Sequence, residues 1–205
     1  MNPLFGNLRS GAAALGARTA CALLLSLACV AAMAATAWRT DPSASHLGFK
    51  ATQAGAEFEG QFKRFTPQIS FDPADLAGSR FVVEIDTRSA DTQDGERDAA
   101  LASNDFFATD RWPTARFETT GFTAKGKGRF DARGRLTIRD VTREILLPFS
   151  FAAAPGGKQA TLTGGTSIRR LDFGVGQGEW VDTTWVGNEV KIQFELKLVP
   201  APDAP

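Results

Sequence analysis

The chain has 205 residues, 23 basic and 23 acidic side chains, one histidine, two cysteines and no tyrosine. That length suits one domain with a core of its own, and balanced charge without a Lys/Arg run gives nucleic acid no electrostatic footprint. Cys21 and Cys29 both precede residue 30, so the rest of the chain holds no disulfide, thiol nucleophile or cysteine-ligated metal.

Residues 1–37 carry Arg9 and Arg18, no acid, and an apolar run from Ala20 to Ala35. The run ends in two small-residue motifs, Ala32-Met33-Ala34 and Ala35-Thr36-Ala37. A basic start, an apolar middle and an A-x-A exit predict a cleaved secretory signal peptide over 1–37 and a periplasmic mature protein. Two alternatives stay open. The run approaches the ~20 residues of an uncleaved membrane anchor. Cys29, after Ser26-Leu27-Ala28, loosely matches a lipid-attachment site. Without Arg9 and Arg18, the remaining chain has 21 basic and 23 acidic residues.

Beyond residue 37, alternation with period two dominates, the signature of strands with one apolar and one wet face. It begins at Phe81, Val83 and Ile85, which alternate with Val82, Glu84 and Asp86. From Glu96 to Phe107 the spacing turns helical, and Asp94, Glu96 and Asp98 suit the positive end of a helix dipole. Strands resume around Leu136 and Ile138, then Ile145, Leu147, Phe149 and Phe151. Pro148, on the opposite face of that run, predicts an edge or a bulge. Lys125-Gly126-Lys127-Gly128 and Pro155-Gly156-Gly157 read as breaks, and Asp131-Ala132-Arg133-Gly134 as a hairpin loop. Near the end, Val190, Ile192, Phe194, Leu196 and Leu198 alternate with Lys191, Gln193, Glu195 and Lys197. Residues 199–205 are Pro/Ala-rich and read as a frayed tail. The pattern predicts an all-β antiparallel sandwich or barrel with one short inserted helix.

Catalytic and metal-binding candidates are few. His46 has no G-x-S-x-G serine to activate and reads as a turn or strand-edge residue. Asp91, Asp94, Glu96 and Asp98 lack the spacing of an EF-hand loop and read as a solvated helix entry. Gly174-Val175-Gly176-Gln177-Gly178 lacks the strand-turn-helix setting of a phosphate loop and reads as a bend or close strand approach. No catalytic residue, metal or cofactor is expected. Fifteen of the sixteen Phe lie beyond residue 37; such side chains either fill a closed core or line a cavity suited to hydrocarbon.

Several spaced blocks resemble the YceI-like family. They are Arg97-Asp98 with Leu101 and Asp105-Phe106-Phe107, then Trp112-Pro113 and Phe117. Gly134-Arg135-Leu136-Thr137-Ile138 with Val141-Thr142 follows, and Ile168 through Gly176 with Gly178-Glu179-Trp180 closes the series. Trp38 through Asp41, Ser45, Phe49, Gly60 and Phe62 fit its opening, so the likeness spans nearly all of residues 38–198. One departure is Ala100, where the family often has His.

The resemblance implies a lipocalin-like antiparallel β-barrel of about eight strands over 38–198, exported and non-catalytic. It would sequester or carry a long-chain polyisoprenoid of quinone or prenyl-carrier type; the alternatives are a structural or stress-related envelope protein with a filled core, or an enzyme acting on a lipophilic substrate. The residues expected to line its cavity are Phe49, Phe58, Phe62, Phe81, Val83, Ile85, Phe106, Phe107, Phe117, Leu136, Ile138, Leu147, Phe149, Phe151, Ile192 and Phe194. Arg169 and Arg170 are candidates to meet a head-group or, alternatively, to form a structural salt bridge with Asp172 or Asp98. Expected partners are the lipid itself and, transiently, a membrane or a quinone-using membrane protein.

Overall fold

The structure, a computed structural model, describes residues 35–202. The first 34 residues, including the basic start, the apolar run as far as Ala34 and the first A-x-A motif, lie outside it, as do residues 203–205. In chain order the elements are β1 (Ala37–Thr40), β2 (His46–Gln53), β3 (Ala56–Phe62), β4 (Phe65–Asp72), β5 (Asp75–Asp86) and β6 (Ala90–Asp91). The helix α1 (Gly95–Ala102) follows, then β7 (Thr114–Gly126), β8 (Arg129–Ile138), β9 (Val141–Ala153), β10 (Ala160–Arg169) and β11 (Glu189–Pro200).

The ladder runs β1-β4-β5-β7-β8-β9-β10-β11, and β11 pairs back onto β1. This closes an eight-stranded antiparallel barrel of lipocalin-like form, which removes the exposed sheet edges of an open fold. β2 continues the line of β1 along β11, with Phe49 opposite Ile192, and forms a hairpin with β3. One end of the barrel carries the β4–β5, β7–β8 and β9–β10 hairpins. The other carries the β2–β3 turn, α1, the β8–β9 turn and the long β10–β11 connection.

The hairpin end is filled. Phe71 is fully buried, with the rings of Phe81, Phe122, Phe130, Phe149 and Phe151 centred between 5.0 and 5.6 Å from its own. Trp38 stacks edge-on against Phe151 and donates its Nε1–H to the Phe71 carbonyl at 3.0 Å. These offset and edge-to-face arrangements are the favoured ones for aromatic pairs. Together they make a plug across the barrel.

Three local expectations need correction. Asp131–Gly134 is not a hairpin loop but the middle of β8, paired with β9 from Asp131↔Pro148 to Gly134↔Ile145. Asp131 is tied to Lys125 at 3.0 Å, and Gly134 leaves room for the Phe117 ring, whose Cε2 and Cζ would stand 2.6 Å from a Cβ there. The actual turn is Gly126-Lys127-Gly128, where all three residues have positive φ. The short helix covers part of the stretch from Glu96 to Phe107, as expected: it ends at Ala102, where the Ser103 carbonyl accepts the N–H groups of Phe106 and Ala108 and coils the chain back. Pro148 lies in an interior strand; the β9–β10 ladder simply ends beside it, at Phe149↔Gly164. The tail is ordered further than its composition suggests, since Val199 and Pro200 pair with Arg39 and Trp38.

Candidate binding cavity

The helix end of the barrel is hollow. A cavity of about 340 Å³ opens there, near the lower bound of ~300 Å³ typical of small-molecule sites. Its wall is almost wholly apolar, with polar side chains confined to Gln53, Asp94, Glu96, Arg97 and Arg170. A second, wholly apolar chamber of about 80 Å³ lies toward the plug and shares Leu47, Ile85, Leu136 and Ile192 with the first. A larger groove of about 1070 Å³ runs outside, where β1 and β4 part, but Arg39, Lys63, Arg64, Arg80, Glu84 and Asp86 line it. Volume alone would favour that groove; chemistry assigns a hydrocarbon to the barrel interior.

The wall forms because period-two alternation sends every second side chain inward. Of the sixteen residues expected to line a cavity, Phe49, Phe58, Phe62, Ile85, Phe106, Phe107, Leu136, Ile138 and Ile192 border the main cavity. Phe81, Val83, Phe117, Leu147 and Phe194 border the inner chamber. Phe149 and Phe151 border neither; they belong to the aromatic plug. Leu47 and Ala51 flank Phe49 at alternate positions of β2 and could have been found by extending its period. Val175, Trp180 and Val186 also line the cavity, from a connection with no period to reveal them.

The two head-group candidates separate. Arg169 is exposed, lies away from the cavity and pairs with Asp172 at 2.8 Å. Arg170 is 4% exposed and borders the cavity. Its guanidinium donates to four backbone carbonyls, those of Gly187, Val175, Trp180 and Val186, at 2.6–3.0 Å. Burial holds its pKa below the usual arginine range, yet arginine remains charged in proteins. No carboxylate among the described residues pairs with it. The guanidinium therefore bolts the β10–β11 connection over the barrel end. Gly176 permits this with φ +92°, since a Cβ there would coincide with Arg170 Nη1. The glycine-rich run makes a bend, with positive φ at Gly174 and Gly176, and Gly176 and Gln177 both donate their N–H groups to the Asp105 carbonyl, at 2.7 and 2.8 Å.

The acidic group at the helix entry is consumed by local structure. Asp94 caps α1, accepting from the N–H groups of Glu96 and Arg97. Asp98 accepts from Thr92 N and Oγ1 at 2.8 and 2.7 Å, and Asp91 pairs with Lys63 at 2.8 Å. Arg97 lies 4.3 Å above the Phe58 ring at the cavity mouth. His46 is exposed at the first position of β2, opposite Glu195.

The sequence profile of the YceI-like domain matches residues 38–198. A UPF0312 protein of Vibrio cholerae serotype O1 is 35% identical over 144 residues, covering 66% of this chain and 76% of the relative. Among solved structures, Burkholderia cenocepacia BcnA superposes with a TM-score of 0.73 at 32% identity, covering 78% of this chain and 99% of BcnA. A polyisoprenoid binding domain from Saccharophagus degradans, implicated in plant cell wall breakdown, superposes with a TM-score of 0.62. It is 15% identical, with 81% of this chain and 99% of that one covered, a likeness of fold.

Proposed function

The chain belongs to the YceI-like family, and from that premise we propose that it is an exported, non-catalytic binding protein that holds a polyisoprenoid lipid, of quinone or prenyl-carrier type, in its barrel. The observation that carries this reading is the cavity itself, apolar throughout its depth and polar only around the mouth and at Arg170. The binding activity named for the Saccharophagus degradans domain supports it. So does the N-terminal segment, whose basic start, apolar run and A-x-A motifs match an export signal.

The polarity gradient orients the ligand. Its tail enters toward the Phe71 plug, and its head stays near Gln53, Glu96 and Arg97. Burying each methylene is worth about 0.8 kcal/mol against water, but a bilayer offers the tail the same gain. Retention then depends on fit and on exclusion of water.

Mass spectrometry of lipid extracted from natively purified protein tests the proposal. An isoprenoid at near-stoichiometric amount is the expected result. Protein that is folded, natively purified and free of any long-chain lipid would overturn it.

A further inference from the structure

The three large apolar side chains that stand exposed among the described residues are Leu146, Val181 and Trp185, and the last two lie on one loop. That loop connects β10 to β11 and builds part of the cavity mouth. Trp180 and Val186 line the cavity from it, whereas Val181 is 53% and Trp185 64% exposed. One loop thus presents apolar side chains both to the cavity and to solvent. The geometry points to a docking surface for a lipid bilayer, with Trp185 and Val181 entering the interface and the cavity mouth held against the membrane.

The exposure is built in. Arg170 fixes the carbonyls of Trp180 and Val186, Ala54 donates its N–H to the Trp185 carbonyl at 2.8 Å, and Gly187 donates its N–H to the Thr52 carbonyl at 2.9 Å. Asp182 accepts from both the N–H and the hydroxyl of Thr184, at 2.8 and 2.6 Å, shaping the turn just before Trp185. With both flanks anchored, the backbone at Trp185 is held beside the cavity mouth. Tryptophan favours the membrane–water boundary, where an apolar ring body and a polar N–H are both satisfied.

A bilayer is the occupant that the cargo requires. A polyisoprenoid's alternative to this cavity is a membrane, and passage through water would expose its whole tail. The inference rests on the lipid-binding reading in that respect. Charge sets the kind of surface: Glu179 and Asp182 on the loop and Glu96 across the mouth are acidic, while Arg97 at the mouth is paired with Asp94 at 3.2 Å, so an anionic surface is repelled. Docking is apolar and favours zwitterionic lipid.

The test is flotation of the purified protein with phosphatidylcholine vesicles, comparing wild type with a Val181→Ser/Trp185→Ser variant. Neither residue lines the cavity. The variant is expected to keep its circular dichroism spectrum and the lipid carried through purification, while its vesicle-bound fraction falls about tenfold. Replacing a third of the lipid with phosphatidylglycerol is expected to weaken wild-type binding. Equal flotation of both proteins, or none by the wild type, would overturn the docking surface. So would a wild-type dimer in solution that the variant dissolves, since the patch would then join two copies. Lipid content is read separately on the same samples: flotation by protein without bound lipid would sink the binding proposal and leave the docking surface standing.

Discussion

The ring of Phe49 lies over Gly60, its direct partner across the β2–β3 ladder, and occupies the space where a side chain at 60 would begin. A Cβ on residue 60 would stand 2.7 and 2.9 Å from Phe49 Cε1 and Cε2. Both positions face the cavity, but only Phe49 reaches it, packed against Phe58 and Phe62. Gly60→Ala should therefore swing the ring into the cavity. Overpacking of this kind costs about 1–3 kcal/mol, so the variant should fold with a lowered thermal midpoint. Lipid per folded protein should fall, and Phe49→Leu added to Gly60→Ala should restore it. Unchanged lipid and stability in the single variant would disprove the wedge.

Plug and cavity should respond oppositely to substitution. Phe149 stacks on Phe130 with centroids 5.4 Å apart and is 3% exposed, so Phe149→Ala should cost about 3–5 kcal/mol in denaturant unfolding. Ile192 borders both chambers, and Ile192→Asp should leave a folded barrel that has lost its lipid, because an unpaired carboxylate there draws in water. Lys191→Glu, one residue away on the outer face, should retain it. If Ile192→Asp kept wild-type lipid content, the ligand would lie elsewhere.

The pH dependence should be one-sided near neutrality. Lys63 above all holds the Asp91 carboxyl below its ordinary range, and Arg80 does the same for Glu118. Lys50 lowers Glu59, and the Thr184 hydroxyl and N–H lower Asp182. A depressed carboxylate contributes stability above its unfolded pKa and loses it as pH falls through the folded value. These contributions are then complete above about pH 5 and decline as pH falls below the ordinary carboxylate range toward each lowered folded value. Lys50, raised by Glu59, has the opposite sign and gives way only on the alkaline side of its ordinary range. Thermal midpoints should be level from about pH 5 to 9 and drop in acid. A midpoint that rises on acidification below pH ~4 would contradict these signs.

Processing should leave Ala35 as the first residue. The Thr36 carbonyl accepts the N–H of fully buried Phe71 at 2.8 Å, and the Ala35 carbonyl accepts the Ser70 hydroxyl at 3.0 Å. The Ala37 carbonyl accepts the N–H of Ala201 at 2.9 Å. A cut after Ala37 would remove all three acceptors, and an orphaned buried N–H costs about 1–3 kcal/mol. A cut after Ala34 keeps them. N-terminal sequencing of the exported protein decides between the two, and a chain starting at Trp38, Cys29 or Met1 would refute the choice.

Side-chain direction was legible in the sequence; depth was not. The alternation at Phe81–Ile85, Leu136–Ile138 and Ile192–Leu198 identifies inward positions, because strand period is a local property. It cannot say that Phe149 fills the plug while Ile138 borders the cavity, since height along the barrel is set by strand stagger. Asp131–Gly134 misled for a related reason: its turn-like composition serves a Lys125 ion pair and a Phe117 ring, both contributed by another strand. Trp180 and Val186 are placed by Arg170 holding backbone carbonyls, which leaves no side-chain pattern at the receiving end.

The Phe71 plug makes the hollow a blind sleeve, and a blind sleeve acts as a gauge of length. If the proposed isoprenoid lies there, each added unit should gain apolar contact until the tail tip meets the Phe71 cluster, and further units should only lengthen what projects from the mouth. Across a homologous series, affinity should climb and then level off, the break marking the distance from rim to plug. Short tails would be enclosed, and long ones would keep a free length outside, within reach of whatever takes them next.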